Sequence, residues 1–245
     1  MHTYANLCEA AADTWAQECA NRTALLHVVR NGPRALLGIL RNGSLSPDSP
    51  GKMEATKRSE AELDEPRAVY FYAGRAYPNS AGEATFWLSP GDDASLNGKA
   101  SPFDSGGVIH GWSKLPWAGM GAASPAEYVE THSVDLSFFH EYFGHHLTAF
   151  FGSPPQYWDD APAKPIDGIS FGPTSDFRDW TFEVRVHGEV SIVNTRLYLT
   201  NNLNNLIAEE ELLGFESNLP PVQYDDSPAT LAENDARSTA VGGAL

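Results

Sequence analysis

Three short segments, far apart in the chain, each place one chemically versatile side chain inside a strand-like run. They are His27 in Ala24–Val29, Tyr70 in Ala68–Tyr72 and Glu183 in the alternating run Trp180–Val186. An imidazole or a carboxyl group can move a proton at a reacting atom, and an aromatic face can hold a flat ligand. Taken singly, such a His is usually a satisfied core residue, such a Tyr usually packs, and such a Glu usually faces solvent. The segments acquire functional meaning only through their joint placement in a fold.

Residues 140–146, His-Glu-Tyr-Phe-Gly-His-His, begin like a zinc-protease motif but do not keep its spacing. That motif needs two His residues four positions apart, so that both imidazoles share one helix face. Here the fourth position after His140 is Gly144, and only Glu141 and His145 share a face. We therefore expect no metal site, and a helix whose His and aromatic residues are structural or line a substrate.

The compact segment Pro102–Gly107 has two interpretations. Asp104 can cap its own backbone in a turn, or the loop can lie on a cofactor or target, where glycines let the backbone approach closely. The chain contains no phosphate-cradling Gly-x-x-x-x-Gly-Lys motif and no Gly-x-Gly-x-x-Gly helix start, which disfavours a kinase and a Rossmann dehydrogenase.

The elements that must position these residues follow in the order strand, helix, strand, strand, helix, strand. Because few helices could serve as crossovers between parallel strands, this order favours an α+β fold over a doubly wound sheet. Besides the three runs above, the pattern predicts helices over residues 4–20, Arg34–Leu40, Ser137–Phe151 and 196–213, a strand over Ala84–Leu88, and loops over Ser44–Pro66 and 89–125.

The segment around His27 resembles the opening of the ADP-ribosyltransferase superfamily. A strand with an internal His, the turn Asn31-Gly32-Pro33 and a helix ending in Ile39-Leu40-Arg41-Asn42-Gly43 follow one another. The likeness is closest to the His-Tyr-Glu branch, which includes the poly-ADP-ribose polymerases. Ala68–Tyr72 is similar to that branch's Gly-Ile-Tyr-Phe-Ala strand. Thr181–Val190 resembles both its Asn-Glu-Tyr-Ile-Val-Tyr strand and the Glu-Val-x-Val strand of toxins that ADP-ribosylate DNA bases.

The resemblance implies that NAD is the co-substrate and assigns residues to its binding. His27 would bind the 2′-hydroxyl of the ribose beside the nicotinamide. The backbone of Val28 would bind the nicotinamide amide, although the family usually has Gly or another small residue there. Tyr70 would stack on the nicotinamide ring, and Phe71 belongs to the same cofactor-binding strand.

The resemblance also assigns catalytic roles. Glu183 takes the place of the catalytic glutamate, with Tyr70 beside it. Arg75 matches an arginine of the DNA-targeting toxins that positions or deprotonates the target base. Breaking the bond between ribose and nicotinamide passes through an oxocarbenium-like state, which a nearby carboxylate stabilises.

The implied fold is α+β, with a split, two-sheet, mixed or antiparallel β core and flanking helices. Residues 1–219 would form the single ADP-ribosyltransferase-like domain and residues 220–245 a disordered tail. The implied function is mono-ADP-ribosyl transfer from NAD to a macromolecule, either a nucleic acid or a protein, with release of nicotinamide. Likeness to toxins suggests a bacterial toxin, defence or effector enzyme, with an antitoxin or immunity protein as a further partner. An NAD glycohydrolase and a non-catalytic NAD-binding module are the alternatives.

Composition limits the partners. The chain has 245 residues with 16 Lys and Arg against 32 Asp and Glu, a net charge of −16. This balance argues against a broad nucleic-acid-binding surface, because phosphate contacts supply most non-specific affinity. No apolar run approaches the ~20 residues of a membrane span. The N-terminus has no basic stretch followed by an apolar stretch, so we expect no signal peptide. We expect a cytoplasmic protein with no membrane partner, a location compatible with delivery into a target cell.

Overall fold

The structure is a computed structural model, and it describes residues 15–29, 32–49, 52–73, 84–88, 95–111, 123–159, 182–193, 195–199, 220 and 222–224. The helices within these ranges are α1 (Trp15–Arg22), α2 (Gly32–Asn42), α3 (Glu54–Glu62), α4 (Ser105–Ile109), α5 (Pro125–Thr131), α6 (Phe139–Phe151) and α7 (Pro154–Trp158). The strands are β1 (Leu25–Val29), β2 (Ser44–Leu45), β3 (Ala68–Ala73), β4 (Ala84–Leu88), β5 (Gly98–Ser101), β6 (Val134–Asp135), β7 (Phe182–His187), β8 (Val190–Ser191), β9 (Thr195–Leu199) and β10 (Val222–Tyr224).

Eight of these strands form one sheet, in the order β10-β9-β4-β1-β3-β7-β5-β6, and β2 pairs with β8 in a second, small sheet. The paired strands run antiparallel, except β10 and β9, which run parallel. Helices combined with a mostly antiparallel sheet confirm the predicted α+β class.

The joint between β1 and β3 divides the large sheet into two four-stranded halves. The two strands are paired only at Leu25–Ala73 and Leu26–Tyr72. Beyond these pairs β1 continues along β4 as far as Val29, and β3 continues along β7 back to Ala68. The main-chain ladder that holds the halves together is therefore short.

One face of the large sheet is apolar and carries the core. Phe182, at the start of β7, has its ring 5.8 Å from Phe139, 5.2 Å from Phe143 and 5.2 Å from His146, all on α6. Because side chains alternate along a strand, the same face presents Val184 of β7 and, opposite it, Phe71 of β3, which belong to the same buried cluster. Burying an aromatic ring of this size stabilises the fold by about 1.5–3 kcal/mol.

The opposite face of β3 and β7 is polar. Tyr70 lies opposite Arg185, and Tyr72 opposite Glu183, in the β3–β7 register. Helix α4 supplies Ser105 to this region. Asp104, the residue before α4, caps the helix: its side chain accepts a hydrogen bond from the Gly107 N–H at 2.8 Å. Of the two interpretations of Pro102–Gly107, this bond confirms that Asp104 caps its own backbone, and the placement of the segment on a cofactor or target stays a prediction.

Two predicted loops contain regular structure. Ser44–Pro66 includes β2 and α3, and residues 89–125 include β5 and α4. The hydrophobic pattern misses α3 because the side chains that this helix buries are polar, Ser59 and Glu60. Strand β5 is short and has the sequence Gly-Lys-Ala-Ser, which has little β propensity.

The C-terminal predictions also need correction. The helix predicted over residues 196–213 is wrong at its start, where β9 runs from Thr195 to Leu199 and alternates as Thr-Arg-Leu-Tyr-Leu. The predicted tail, residues 220–245, includes strand β10, which pairs with β9. Residues 225–245, and the predicted helix over residues 4–20 before Trp15, lie outside the described residues.

Candidate functional site

The strands that carry His27, Tyr70 and Glu183 are neighbours. The sheet order places β1, β3 and β7 side by side, although the three residues are far apart along the chain. Tyr70 and Glu183 are two positions apart in the β3–β7 register, because Tyr72 lies opposite Glu183. Their side chains therefore project from the same, polar face.

His27 lies on the other face of the sheet. It pairs with Phe86 in the β1–β4 register, and its ring meets the edge of Phe71 at a centroid distance of 5.7 Å. Phe71 is fully buried, so its ring is part of the apolar core. The structure thus brings the three strands together but does not place the imidazole on the face of Tyr70 and Glu183.

The His27 imidazole nevertheless touches the Tyr70 backbone at the joint between the sheet halves. Nδ1 lies 2.8 Å from the Tyr70 carbonyl oxygen. A carbonyl can only accept, so Nδ1 carries the proton and the Nε2 lone pair is left as an acceptor. Burial lowers the pKa of His27 and so favours the neutral ring, while the bond to Tyr70 partly opposes that shift.

Val28 and Arg75 are the two remaining residues that the sequence predicts for the site. Val28 follows His27 on β1 and is half-buried, and its backbone role stays a prediction. Arg75 lies outside the described residues, so its place relative to the site also stays a prediction.

Tyr70 presents a phenol that is protonated at every physiological pH. Burial raises its pKa above its usual range, and the carboxylates of Glu183 and Glu60 add to the shift. Its hydroxyl is buried and has no hydrogen-bond partner among the described residues. The Lys52 ammonium lies 5.5 Å from the centroid of the Tyr70 ring, within cation–π range.

Lys52 and Glu60 attach α3 and the segment before it to the edge of β3. The Lys52 ammonium donates to the carbonyls of Pro47 at 3.0 Å and Ala68 at 2.9 Å, and to Glu60 Oε1. Glu60 Oε1 also accepts from the Ala68 N–H at 2.9 Å. Sequence reasoning missed both residues because they lie in the predicted Ser44–Pro66 loop.

Glu183 is buried, with 2% of the residue exposed. Its Oε1 accepts hydrogen bonds from the Ser105 hydroxyl and from Arg185 Nη1, the latter at 3.0 Å. Burial raises the pKa of Glu183 to about 7, with a further rise from Asp104, while Arg185 and Ser105 act in the opposite direction. A carboxyl with such a pKa exchanges its proton near neutral pH and is suited to general acid–base chemistry.

Arg185 holds this region together. Its side chain is fully buried, and it donates to Glu65 at 2.8 and 3.0 Å, to Glu183 at 3.0 Å, to Ser101 at 2.6 Å and to Ser133 at 3.0 Å. These bonds use all five N–H groups of the guanidinium, as burial of a charge requires. We call these five residues the Arg185 cluster.

The sequence contains a signal for this cluster, which is overlooked when Glu183 is interpreted as a solvent-facing residue. Glu183 and Arg185 occupy alternate positions of β7, so they share one face, and opposite charges two residues apart on a strand can pair. A charge in an alternating strand is usually solvated, which makes the ordinary interpretation of Glu183 a surface carboxylate. Its burial shows that this interpretation is wrong.

The helix that carries the His-rich segment is confirmed as α6. His146 is buried, and burial lowers its pKa to about 3, so this imidazole is uncharged and structural. Within the described ranges, no group of three or more His, Cys, Asp or Glu side chains could hold a metal ion.

Comparison with known proteins adds no identification. No protein-family model matches the chain, and no curated protein matches it. None of the helices within the described ranges has the length and apolar character needed to cross a membrane.

Proposed function

We propose that the protein is an NAD-dependent ADP-ribosyltransferase that releases nicotinamide and transfers ADP-ribose to a macromolecule. The observation that carries this proposal is that β1, β3 and β7 are adjacent. The resemblance implies one NAD site built from residues of these three segments, and a fold that separated them would exclude it. The finer, ADP-ribosyltransferase-like description of the fold rests on the same adjacency and on the two-pair joint between the sheet halves.

In this proposal the nicotinamide ribose binds at the joint between β1 and β3. His27 and Tyr70 meet there through the imidazole and the Tyr70 carbonyl, and the Nε2 lone pair of the neutral imidazole can accept a bond from a ribose hydroxyl. Because His27 and Glu183 lie on different faces, NAD must reach across this joint to contact both. The unpartnered Tyr70 hydroxyl supplies a donor on the Glu183 side.

The proposed reaction needs Glu183 as a carboxylate. The bond between ribose C1′ and the nicotinamide nitrogen breaks, its electron pair leaves with nicotinamide, and positive charge develops on the ribose. A carboxylate stabilises this oxocarbenium-like state. A lone pair of the acceptor then forms the new bond to C1′, and the acceptor's proton passes to Glu183, whose pKa of about 7 suits that transfer.

The acceptor and the biological role belong to the proposal as open alternatives. Transfer to a nucleobase follows from the likeness to DNA-targeting toxins, and transfer to a protein fits the net charge of −16 better. Hydrolysis of NAD by water and NAD binding without turnover are the other candidate functions.

One experiment separates these functions. Purified protein is incubated with NAD labelled in the adenosine half, alone and with DNA, RNA or a protein extract. Nicotinamide release, acceptor labelling and, by equilibrium dialysis, NAD binding are measured. Label on an acceptor supports transfer, nicotinamide release without label indicates hydrolysis, and NAD binding without release indicates a binding module.

The site assignment is tested in the same assay with a matched pair of variants. We expect Glu183→Gln to lower nicotinamide release by about 100-fold or more, because it removes the charge that stabilises the transition state. Glu189→Gln makes the same chemical change at an exposed residue whose side chain accepts a bond from the Ser44 hydroxyl, and it should leave release unchanged. Full activity of Glu183→Gln would refute the assignment.

A further inference from the structure

The Arg185 guanidinium is shared between two carboxylates from distant parts of the chain. Glu183 takes one N–H, from Nη1 at 3.0 Å. Glu65 takes two, from Nε at 2.8 Å and Nη2 at 3.0 Å. The Arg185 side chain is fully buried and that of Glu65 is 13% exposed, so water screens these charges little. One cation thus serves two anions.

The turn at the end of α3 places Glu65 in this position. Asp64 has a φ of 51°, in the left-handed region, and the Glu65 N–H donates to the Glu60 carbonyl at 3.2 Å. This turn directs the Glu65 side chain toward the sheet. Glu65 makes no bond to Glu183 or Tyr70 among the described residues, so its influence on them passes through space and through Arg185.

Among the described residues, Arg185 is the cation that favours the Glu183 carboxylate, and Glu65 also has His187 Nε2 of β7 at 3.8 Å. Asp104, before α4, repels it and raises the Glu183 pKa, whereas Arg185 lowers that pKa. Tyr70 on β3 is uncharged, and Lys99 on β5 pairs with Asp135 at 2.8 Å. Because Glu65 and Glu183 pair with the same guanidinium, the negative charge of Glu65 offsets part of the attraction between Arg185 and Glu183.

We propose that Glu65 is a positioning residue for Glu183: by pairing with the buried Arg185, it limits how firmly that cation holds the Glu183 carboxylate and so keeps a proton exchangeable there. This proposal deepens the proposed function, and the activity part of its test rests on that function. The titration part does not, because the Glu183 proton can be followed without any substrate.

The decisive variant is Glu65→Gln, which removes the negative charge and keeps an oxygen acceptor for Arg185. Without Glu65 to offset it, Arg185 favours the Glu183 carboxylate more strongly, and we expect the Glu183 titration midpoint to fall by about one pH unit. The midpoint is measured by NMR of protein carrying ¹³C-labelled Glu carboxyl groups, with the Glu183 signal assigned by its loss in Glu183→Gln. Glu62→Gln removes an exposed charge at the end of α3 and should leave the midpoint unchanged.

An unchanged Glu183 midpoint in Glu65→Gln, or an equal fall in Glu62→Gln, overturns the proposal. If Glu65→Gln does not fold, Glu65→Asp decides instead. Its carboxylate is one methylene further from Arg185 and Glu183, so the midpoint should fall in the same direction by about half as much. No change in Glu65→Asp also overturns the proposal.

The activity part uses the pH profile of nicotinamide release. If Glu183 must be ionised, a midpoint lower by about one unit gives Glu65→Gln about five times the relative activity of the unaltered protein at one unit below the original midpoint. A profile that does not move while the NMR midpoint falls overturns the link between Glu183 and catalysis. Absence of nicotinamide release from the unaltered protein refutes the proposed function, and the NMR result still decides the role of Glu65.

Discussion

Burial and a nearby cation act on the Glu183 carboxyl in opposite directions. Burial disfavours the charged form, and Arg185 favours it, yet the pKa still rises from 4.5 to about 7. Desolvation is therefore the larger effect, and the Asp104 carboxylate adds to it. A carboxyl in this balance is costly to keep ionised, which is typical of residues kept for function rather than stability.

This balance predicts how stability depends on pH. A carboxyl whose pKa is higher in the folded state contributes stability that is fully present below pH 4.5 and is lost as pH rises to about 7. The loss is on the order of 3 kcal/mol. We expect the free energy of unfolding of the unaltered protein to fall by this amount relative to Glu183→Gln over that interval, measured by urea denaturation at several pH values.

The difference between the free energies of unfolding of the two proteins cancels the contributions of ionisable groups that both contain. His146 is one of these groups, and its lowered pKa acts in the opposite direction. A difference that stays constant with pH would contradict the raised pKa of Glu183. Glu183→Ala is unsuitable for activity tests, because it leaves donors of Arg185 and Ser105 without their acceptor. Breaking a buried ion pair in this way costs about 3–5 kcal/mol.

At the residue scale, the sequence indicated which strands carry His27, Tyr70 and Glu183, but not the face of the sheet on which each side chain lies. Glu183 stood out through its strand pattern, but nothing local to it indicated burial. Ser105, which donates to it, and Glu65, which shares Arg185 with it, come from distant segments that the apolar pattern predicts as loops. His27 was placed on the correct strand, yet the face it occupies follows from register with β3 and β4. Register depends on pairing between distant segments, which a local pattern does not contain.

At the element scale, segments with a buried apolar face were predicted well and polar ones were not. Strands β1 and β4, and helix α6, follow the predicted runs closely because apolar residues mark the face that packs on the core. Helix α3 packs through Ser59 and Glu60, and Lys52 precedes it. Its attachment is made by hydrogen bonds and an ion pair, for which hydrophobic periodicity gives no signal.

Packing between α1 and α6 gives a second prediction. A Cβ atom on Gly144 of α6 would lie 3.0 Å from the Trp15 Cβ and 3.5 Å from the Cys19 Sγ on α1, whereas one on Gly38 of α2 would have nothing within 4 Å. Alanine gains about 1 kcal/mol of helix propensity over glycine at both positions. At Gly144 the two helices must also move apart, which costs about 1–3 kcal/mol.

We therefore expect Gly38→Ala to raise the free energy of unfolding by about 0.5–1 kcal/mol and Gly144→Ala to lower it. The two substitutions are chemically identical, so their difference isolates the contact between α1 and α6. Urea denaturation of the two variants measures it. Equal stabilisation by both would mean that α1 does not pack this closely on α6.

At the scale of the whole molecule, charge governs how anionic ligands approach. The net charge of −16 repels NAD, which is itself an anion, and it repels nucleic acid more strongly. Such repulsion reaches about 30 Å at 10 mM salt but only about 8 Å at 150 mM. Glu183, the proposed catalytic residue, lies inside a buried cluster, where dissolved salt has little effect.

Together, the long-range repulsion and the buried position of Glu183 predict that salt affects NAD binding but not turnover. Between about 10 and 150 mM NaCl, we expect the KM for NAD to fall by about two- to fivefold, because screening removes long-range repulsion, while kcat changes little. Uncharged nicotinamide, used as a competing product, is the matched control, and its inhibition constant should not depend on salt. A KM that rises with salt would instead require a locally cationic entrance to the site. That result would favour an anionic acceptor, such as a nucleic acid, over a protein, because the same entrance would attract its phosphates.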